Sequence, residues 1–317
     1  MARERLRRRP MNVTLISTVL DAEQHLPAFL DSVRGQTVPP HEIVIVDGGS
    51  SDGTLEILRR EEAVTVIQEP GANISRGRNV AIAAAAHDVL AVADADCVLD
   101  PGWLAHLVAP IAAGADVAMG FTAPIAEGFL QGCLAAVNFP IDAGEVDPSR
   151  FMPSARSVAF RRDAIEAADG YPEWLPIGED MWVNHRWRQL RLDMRFAPEA
   201  VAHWRLRPTL RATWLQYFRY ARGDAQAGMY AERHALRYGV YLGGAGALSS
   251  RRPLPVLATA LGAAAYAHTP IRRAWRRLPS ASQRAAATAV VPVLMAWIDT
   301  AKMAGYAVGL ADPSRRP

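Results

Sequence analysis

Cysteine is nearly absent from this chain. Two residues, Cys97 and Cys133, in 317 make neither a disulfide framework nor a zinc-ligand pattern, and a reducing, cytosolic setting is the natural reading. A cleavable leader is not expected either. The start is arginine-rich, but the apolar run behind it is short, carries Asn12, Thr14, Ser17 and Thr18, and meets Asp21 without a small-residue cleavage site. No G-x-G-x-x-G turn follows that first run, which argues against a dinucleotide-dependent oxidoreductase. The same place holds DAEQHLP rather than a glycine-rich basic loop, which argues against a nucleotidyltransferase. Repeats and low-complexity segments are absent, and no nucleic-acid-binding motif accompanies the arginines, so nucleic acid is not an expected partner.

Half of the residues are hydrophobic and a fifth are charged, with a formal net charge of +3. That composition supports a large core. The positive excess is uneven. It sits at Arg3, Arg5, Arg7, Arg8 and Arg9, and again between residues 251 and 284 beside apolar stretches, a pattern that suits anionic lipid headgroups.

The first hundred residues alternate between two periodicities. VTLIST (13–18), EIVIVD (42–47), VTVIQE (64–69) and VLAVADAD (89–96) are short, β-branched apolar runs, as expected of strands covered on both faces. Between them, residues 22–35, those from Thr54 onward, and 75–86 carry helical spacing. Strand–helix alternation predicts an α/β fold with a parallel sheet, and ligands of such sheets bind beyond the carboxyl ends of the strands. Asp47 and Asp94 stand at two such ends. Further on, 116–121 and 157–162 read as strands, 180–190 as a helix, 194–204 as two short strand pieces, and a helix runs from Thr209. After about residue 235 the texture becomes apolar and basic. Residues 253–267 would span roughly 22 Å as a helix, short of the ~30 Å hydrocarbon core. Asp299 and Lys302 interrupt the run that follows 285–298, and glycines at 243–246 weaken any long helix there. These segments fit re-entrant or interfacial helices; a soluble helical subdomain is the alternative.

Several clusters carry chemistry. Asp94-Ala95-Asp96 closes an apolar strand; two carboxylates one residue apart can share one ion only if the strand breaks into a turn there. Hard oxygen ligands suit Mg²⁺ or Mn²⁺. A tripeptide this common also fits an ordinary solvated loop. VDGGSSDGT (46–54) places Asp47 for a base or ribose and Asp52 for the start of the next helix. Arg76, Arg78 and Asn79 open a helix, a natural diphosphate site, or a solvated first turn. Glu179-Asp180 precedes a helix and could supply a base for a hydroxyl; from spacing alone, an acidic first turn worth ~0.3–1 kcal/mol explains the pair better. His203 is a candidate third metal or phosphate contact, or a packed histidine.

Taken in order, STVLDAEQHLPAFLDSVRGQ, EIVIVDGGSSDGT, SRGRN, VADADC, GYPEWLPIGED and QYFRYARG resemble the family 2 glycosyltransferases, over about residues 12–225. The resemblance implies a GT-A fold, a Rossmann-like mixed sheet, over residues 11–205. An acceptor-side helical segment over 206–235 and a membrane-associated helical region over 236–317 would follow. It implies inverting transfer from a nucleotide-diphosphate sugar to a glycan or lipid-linked acceptor, at the cytoplasmic face of the membrane. Thr18, Asp21 and Asp47 would line the nucleoside pocket, and Arg78 would lie near the diphosphate. Asp94 and Asp96 would hold Mg²⁺ or Mn²⁺, Asp180 of the Glu179-Asp180 pair would be the catalytic base, and Arg219 would match the family's Gln-x-x-Arg-Trp motif. Tyr220 stands where that motif has tryptophan, which departs from processive members. The YFRYARG run is similar to the succinoglycan-type, membrane-associated branch.

Overall fold

The computed structural model describes residues 11–312; the N-terminal arginines at 3, 5, 7, 8 and 9 lie outside them. The chain divides into two compact units. One comprises the residues up to Ala123 together with Asp142–Arg205; the other comprises Pro124–Ile141 and the residues from Leu206 onward. The division after Arg205 comes ahead of the change of texture near residue 235. Residues 124–141 group with the helical unit rather than with the sheet, and 206–235 and 236–312 form one unit rather than two.

In the first unit the strands are β1 (Val13–Val19), β2 (Glu42–Asp47), β3 (Val64–Gln68), β4 (Val89–Val92), β5 (Cys97–Leu99), β6 (Val117–Ile125), β7 (Val158–Arg161) and β8 (Met194–Arg205). They form one sheet in the order β3-β2-β1-β4-β7-β6-β8-β5. The β3-β2-β1-β4 half is parallel, whereas β7 runs antiparallel to both β4 and β6. The sheet is therefore mixed, the parallel half being the part whose helical crossovers the sequence displays. β1 is buried along nearly its whole length, as a central strand with helices on both faces must be. Its register, Val19 opposite Asp47 and Ile16 opposite Val92, brings the carboxyl ends of β1, β2 and β4 to one edge. Ile16, Val44, Leu90, Val92 and Phe160 share a core cluster with Val183 and Trp187, and the Trp187 indole packs 5.3 Å from the Phe160 ring while donating to the Ala164 carbonyl.

The helices around this sheet are α1 (Leu26–Arg34), α2 (Thr54–Arg59), α3 (Ile74–Ala84), α4 (Trp103–Ala112), α6 (Arg162–Ala167) and α7 (Glu179–Gln189). Gly77 of α3 has no Cβ for a packing reason: one would stand 2.9 Å from the Thr18 methyl, so α3 can lie close on β1. Two expectations change here. β8 is one 12-residue strand rather than two pieces, held in part by β5. β4 stops at Val92, and the chain turns at Ala95–Asp96 before β5 begins.

The second unit holds α5 (Gly128–Asn138), α8 (Leu210–Gln226), α9 (Ala231–Ser250), α10 (Pro253–Arg277) and α11 (Ala281–Leu310). Its core joins Cys133 and Leu134 of α5 to Ala274, Val291, Leu294 and Ile298. Thr209 caps α8 by accepting from the Ala212 amide. The glycines at 243–246 do not end α9. The helix runs unbroken from Ala231 to Ser250. Nor do Asp299 and Lys302 interrupt the last helix, which runs for 30 residues. The buried Asp299 carboxylate accepts from Arg237 Nε at 2.8 Å and from the Tyr241 and Tyr266 hydroxyls at 3.1 and 3.0 Å. A buried charge satisfied in this way is tolerated inside a helix bundle. α11 is long and apolar enough to cross a bilayer by length and composition, but 39% of its apolar window is buried within the unit. A bundle's core helix meets the same two criteria.

Candidate active site

The edge where β1 and β2 end is laced by its own side chains. Asp47 is fully buried, and its carboxylate accepts from the Gly49 and Ser50 amides at 3.0 and 3.1 Å and from the Ser50 hydroxyl. Asp21 adopts a left-handed backbone with φ +50°, unusual for a residue with a Cβ. Its side chain accepts from the Ser51 amide at 2.8 Å, and its amide donates to Ser50 Oγ. Asp52 accepts from the Thr54 amide and hydroxyl and from the Glu23 amide; the Thr54 hydroxyl, first among these bonds, draws its pKa below the usual carboxylate range. Asp52 is thus a turn-former before α2, and the two loops are clasped into one rim. Thr18, half-buried, lies on that rim under α3.

α3 begins at Asn73, whose side chain accepts from the Arg76 amide. Arg76 is exposed and pairs with Glu69 and Glu173, the solvated first-turn reading. Asn79 makes a two-way bond with the Tyr171 backbone, accepting at 2.9 Å and donating at 2.9 Å. Arg78 is the centre. It is 2% exposed, donates to Asp94 Oδ1 at 2.8 Å and to Glu179 Oε1, and lies over the Tyr171 ring. Burial alone works against the Arg78 charge, but Glu179 and Asp94 outweigh it and hold the guanidinium protonated. Burial likewise raises the Glu179 pKa, and Arg78 opposes that shift. Arg78 therefore ties the end of β4 to the start of α7, reaching a glutamate 101 residues further along the chain.

The acid pair meets the condition the sequence set for it. The chain turns between Asp94 and Cys97, with the Cys97 amide donating to the Asp94 carbonyl at 3.1 Å. Both aspartates are half-buried around a buried Ala95. Asp96 Oδ2 accepts from the Trp204 indole at 2.9 Å. Asp94 Oδ2 lies 3.9 Å from Arg156 Nε, and the Arg156 guanidinium stacks 4.1 Å above the Trp204 ring. Burial, with Asp96 and Asp94 nearby, pushes the Cys97 thiol up, so it is no nucleophile.

The two carboxylates of the Glu179-Asp180 pair separate. Glu179 is buried against Arg78, whereas Asp180 is half-exposed, its carboxylate accepting from the Ala155 amide at 3.4 Å and its own helix's Met181 amide at 2.8 Å. Gly178, at φ +88°, makes the left-handed turn that starts α7. A carboxylate in a helix's first turn is stabilised there, and only Asp180 of the pair is reachable from solvent.

His203 is not brought to the acid pair. Its Nε2 sits 2.8 Å from Asp100 Oδ1, and alternation along β8 points it away from the face from which Trp204 reaches Asp96. Among the described residues no group of three His, Cys, Asp or Glu side chains is arranged for a metal. Arg219 is exposed on α8, in the helical unit; beside it, Gln216 donates to the Tyr220 hydroxyl at 2.8 Å. Sequence reading passed over Arg156 and Trp204. The only signal was the aromatic next to His203, and its partner lies far away along the chain.

The sequence matches the model of glycosyl transferase family 2 over residues 14–167. Among curated relatives, the succinoglycan biosynthesis protein ExoA of Rhizobium meliloti is 30% identical over 67% of this chain and 68% of its own length. The O-antigen chain rhamnosyltransferase RfbN of Salmonella typhimurium is 25% identical over 66% and 71%, and glycosyltransferase AglE of Haloferax volcanii 27% over 71% and 76%. Among solved structures, the mannosyltransferase PcManGT from Pyrobaculum calidifontis, in complex with GDP-Man and Mn²⁺, superposes with a TM-score of 0.54 at 17% identity, over 98% of this chain and 91% of that one. GalNAc-T7 with UDP, GalNAc and Mn²⁺ gives 0.51 at 17% identity, over 69% and 48%. The mixed sheet is accordingly a GT-A fold, and the chain belongs to the family 2 glycosyltransferases, enzymes that transfer a sugar.

Proposed function

We propose that this enzyme moves a sugar from a nucleotide-diphosphate donor to an acceptor hydroxyl with inversion, using Asp180 as the base. The observation that carries the reading is Arg78, which joins the acid pair's Asp94 to the Glu179-Asp180 turn in one hydrogen-bonded assembly. Asp180 would take the proton from the acceptor hydroxyl as its oxygen attacks the anomeric carbon, on the face opposite the departing diphosphate. Thr18, Asp21 and Asp47 would shape the nucleoside end of the donor site. Arg78, consumed by two carboxylates, would act by holding them in place rather than by binding phosphate.

The donor set fits a divalent cation. Asp94, Asp96, Glu179 and Asp180 outnumber the guanidiniums of Arg78 and Arg156, and hard carboxylate oxygens suit Mg²⁺ or Mn²⁺. Asp94 and Asp96 would hold the ion, which supplies neutralising charge to the leaving diphosphate.

The acceptor proposed is a glycan or lipid-linked saccharide at the cytoplasmic face of a membrane. This rests on the helical unit, where Leu236, Val240, Leu242, Leu248, Leu254, Leu257 and Leu261 are exposed along α9 and α10, with Arg251 and Arg252 at the turn between them. A helix pair so apolar on its outer surface suits the acyl boundary of an anionic bilayer. The test of the donor reading is a panel of UDP- and GDP-sugars with and without Mn²⁺, followed by hydrolysis and thermal shift. Metal-dependent turnover of at least one donor is expected; no binding of any donor with Mn²⁺ present would overturn the reading.

A further inference from the structure

We propose that Arg156 is a donor-contacting residue, the cation that receives the diphosphate of the nucleotide sugar; this rests on the donor reading above. Arg78, the arginine singled out by sequence, is 2% exposed and bonded to both Asp94 and Glu179. Arg156 is placed differently. Its side chain is 18% exposed, its Nε stands 3.9 Å from Asp94 Oδ2, and its guanidinium carbon lies over the Trp204 ring, 4.1 Å from the centroid. Trp204 in turn donates to Asp96, so one arginine–tryptophan stack is in contact with both acids of the pair. A guanidinium pinned on an aromatic face is pre-organised, loses little freedom on binding, and presents its edge for a forked contact with phosphate oxygens.

The loop that carries Arg156 is fixed from the other side. The Ala155 amide donates to Asp180, and Asn184 of α7 donates to the Pro153 carbonyl at 2.7 Å. The chain from Pro153 to Arg156 thus runs from the proposed base to the acid pair. Charge gathers on the diphosphate as the anomeric bond breaks, and a cation at the acid pair's rim lowers the cost of that charge. Lysine would supply the charge but neither the stacking nor the fork.

The test measures binding of UDP and GDP against UMP and GMP, with Mn²⁺, to the full chain and to Arg156→Gln and Arg156→Lys. Folding is checked by circular dichroism and melting temperature. The wild type is expected to prefer one diphosphate over its monophosphate. Arg156→Gln should reduce that preference by about ten-fold with monophosphate affinity unchanged, the size of one lost charge-assisted contact. Arg156→Lys should fall between the two, which keeps the assignment testable should the glutamine variant not fold. Folded variants that keep the full diphosphate preference would overturn the role of Arg156 alone. A wild type that binds none of the four nucleotides would overturn the donor site itself, and the assignment with it.

Discussion

The two units handle charge in opposite ways. In the sheet unit, carboxylates and guanidiniums converge on one edge and answer one another: Arg78 between Asp94 and Glu179, Arg156 beside Asp94, Trp204 on Asp96. In the helical unit the ionic group is inward, Asp299 held by Arg237 and two tyrosines, while leucines face out along α9 and α10. The first arrangement is what the proposed donor site needs, charge of both signs gathered at one edge. The second is that of a bundle that keeps a charge in its interior and carries apolar side chains on an outer face.

The sharpest way to break the comparison is at the base. Asp180→Asn keeps the size of the side chain and one of its two accepting oxygens, and Asp180 is the reachable member of its pair. Transfer should fall ~10²–10⁴-fold while donor affinity holds, as read by single-turnover kinetics and calorimetry; unchanged turnover would remove Asp180 as base. The centre of the sheet unit comes next. Arg78→Ala leaves two carboxylates facing each other across a buried gap, at a cost of about 3–5 kcal/mol, measured by denaturant unfolding. A loss below about 1 kcal/mol would mean that the Arg78 bonds contribute little to holding β4 and α7 together.

The helical unit is tested on its surface. Replacing Leu254 and Leu257 together by Glu should weaken binding to anionic phospholipid vesicles by about ten-fold or more, seen in flotation, with donor turnover in solution unaffected. Equal flotation would remove the α9–α10 face as the contact. The smallest effect concerns Lys302, which lies over the Tyr217 ring at 4.8 Å. Burial, only partly opposed by Asp299, pulls its pKa down to about 8 from 10.5. The folded state then binds the proton less tightly than the unfolded chain, so stability should rise as pH climbs from about 8 toward 10.5. Lys302→Met should raise the melting temperature at pH 7 and flatten that rise; an unaltered pH profile would assign it to other groups.

Much of the sheet unit was legible. Runs such as EIVIVD and VLAV announce buried strands because β-branched residues suit a pleat covered on both faces, and the helices between them force the parallel order. Asp47, Asp94 and Asp180 stand out in the sequence because each lies close to where an element begins or ends. Other features were not legible. Whether Asp94 and Asp96 could face one ligand depended on a turn that the acids themselves do not encode. The Arg156–Trp204 contact joins the turn before β7 to β8, and His203, adjacent to Trp204, was the more conspicuous candidate by type. In the helical unit, glycines and charged residues read as breaks, yet helix packing and the Asp299 bonds carried α9 and α11 through them.

By itself, the sequence determined the parallel core, the identity of the acids at its edge and the apolar, basic character of the last third of the chain. Those follow from local periodicity and side-chain type. Only the tertiary structure decided which arginine is buried as a strut and which lies at the rim, which carboxylate of Glu179-Asp180 is reachable, and that residues 124–141 join the helices. Each of these is set by burial and by partners far along the chain.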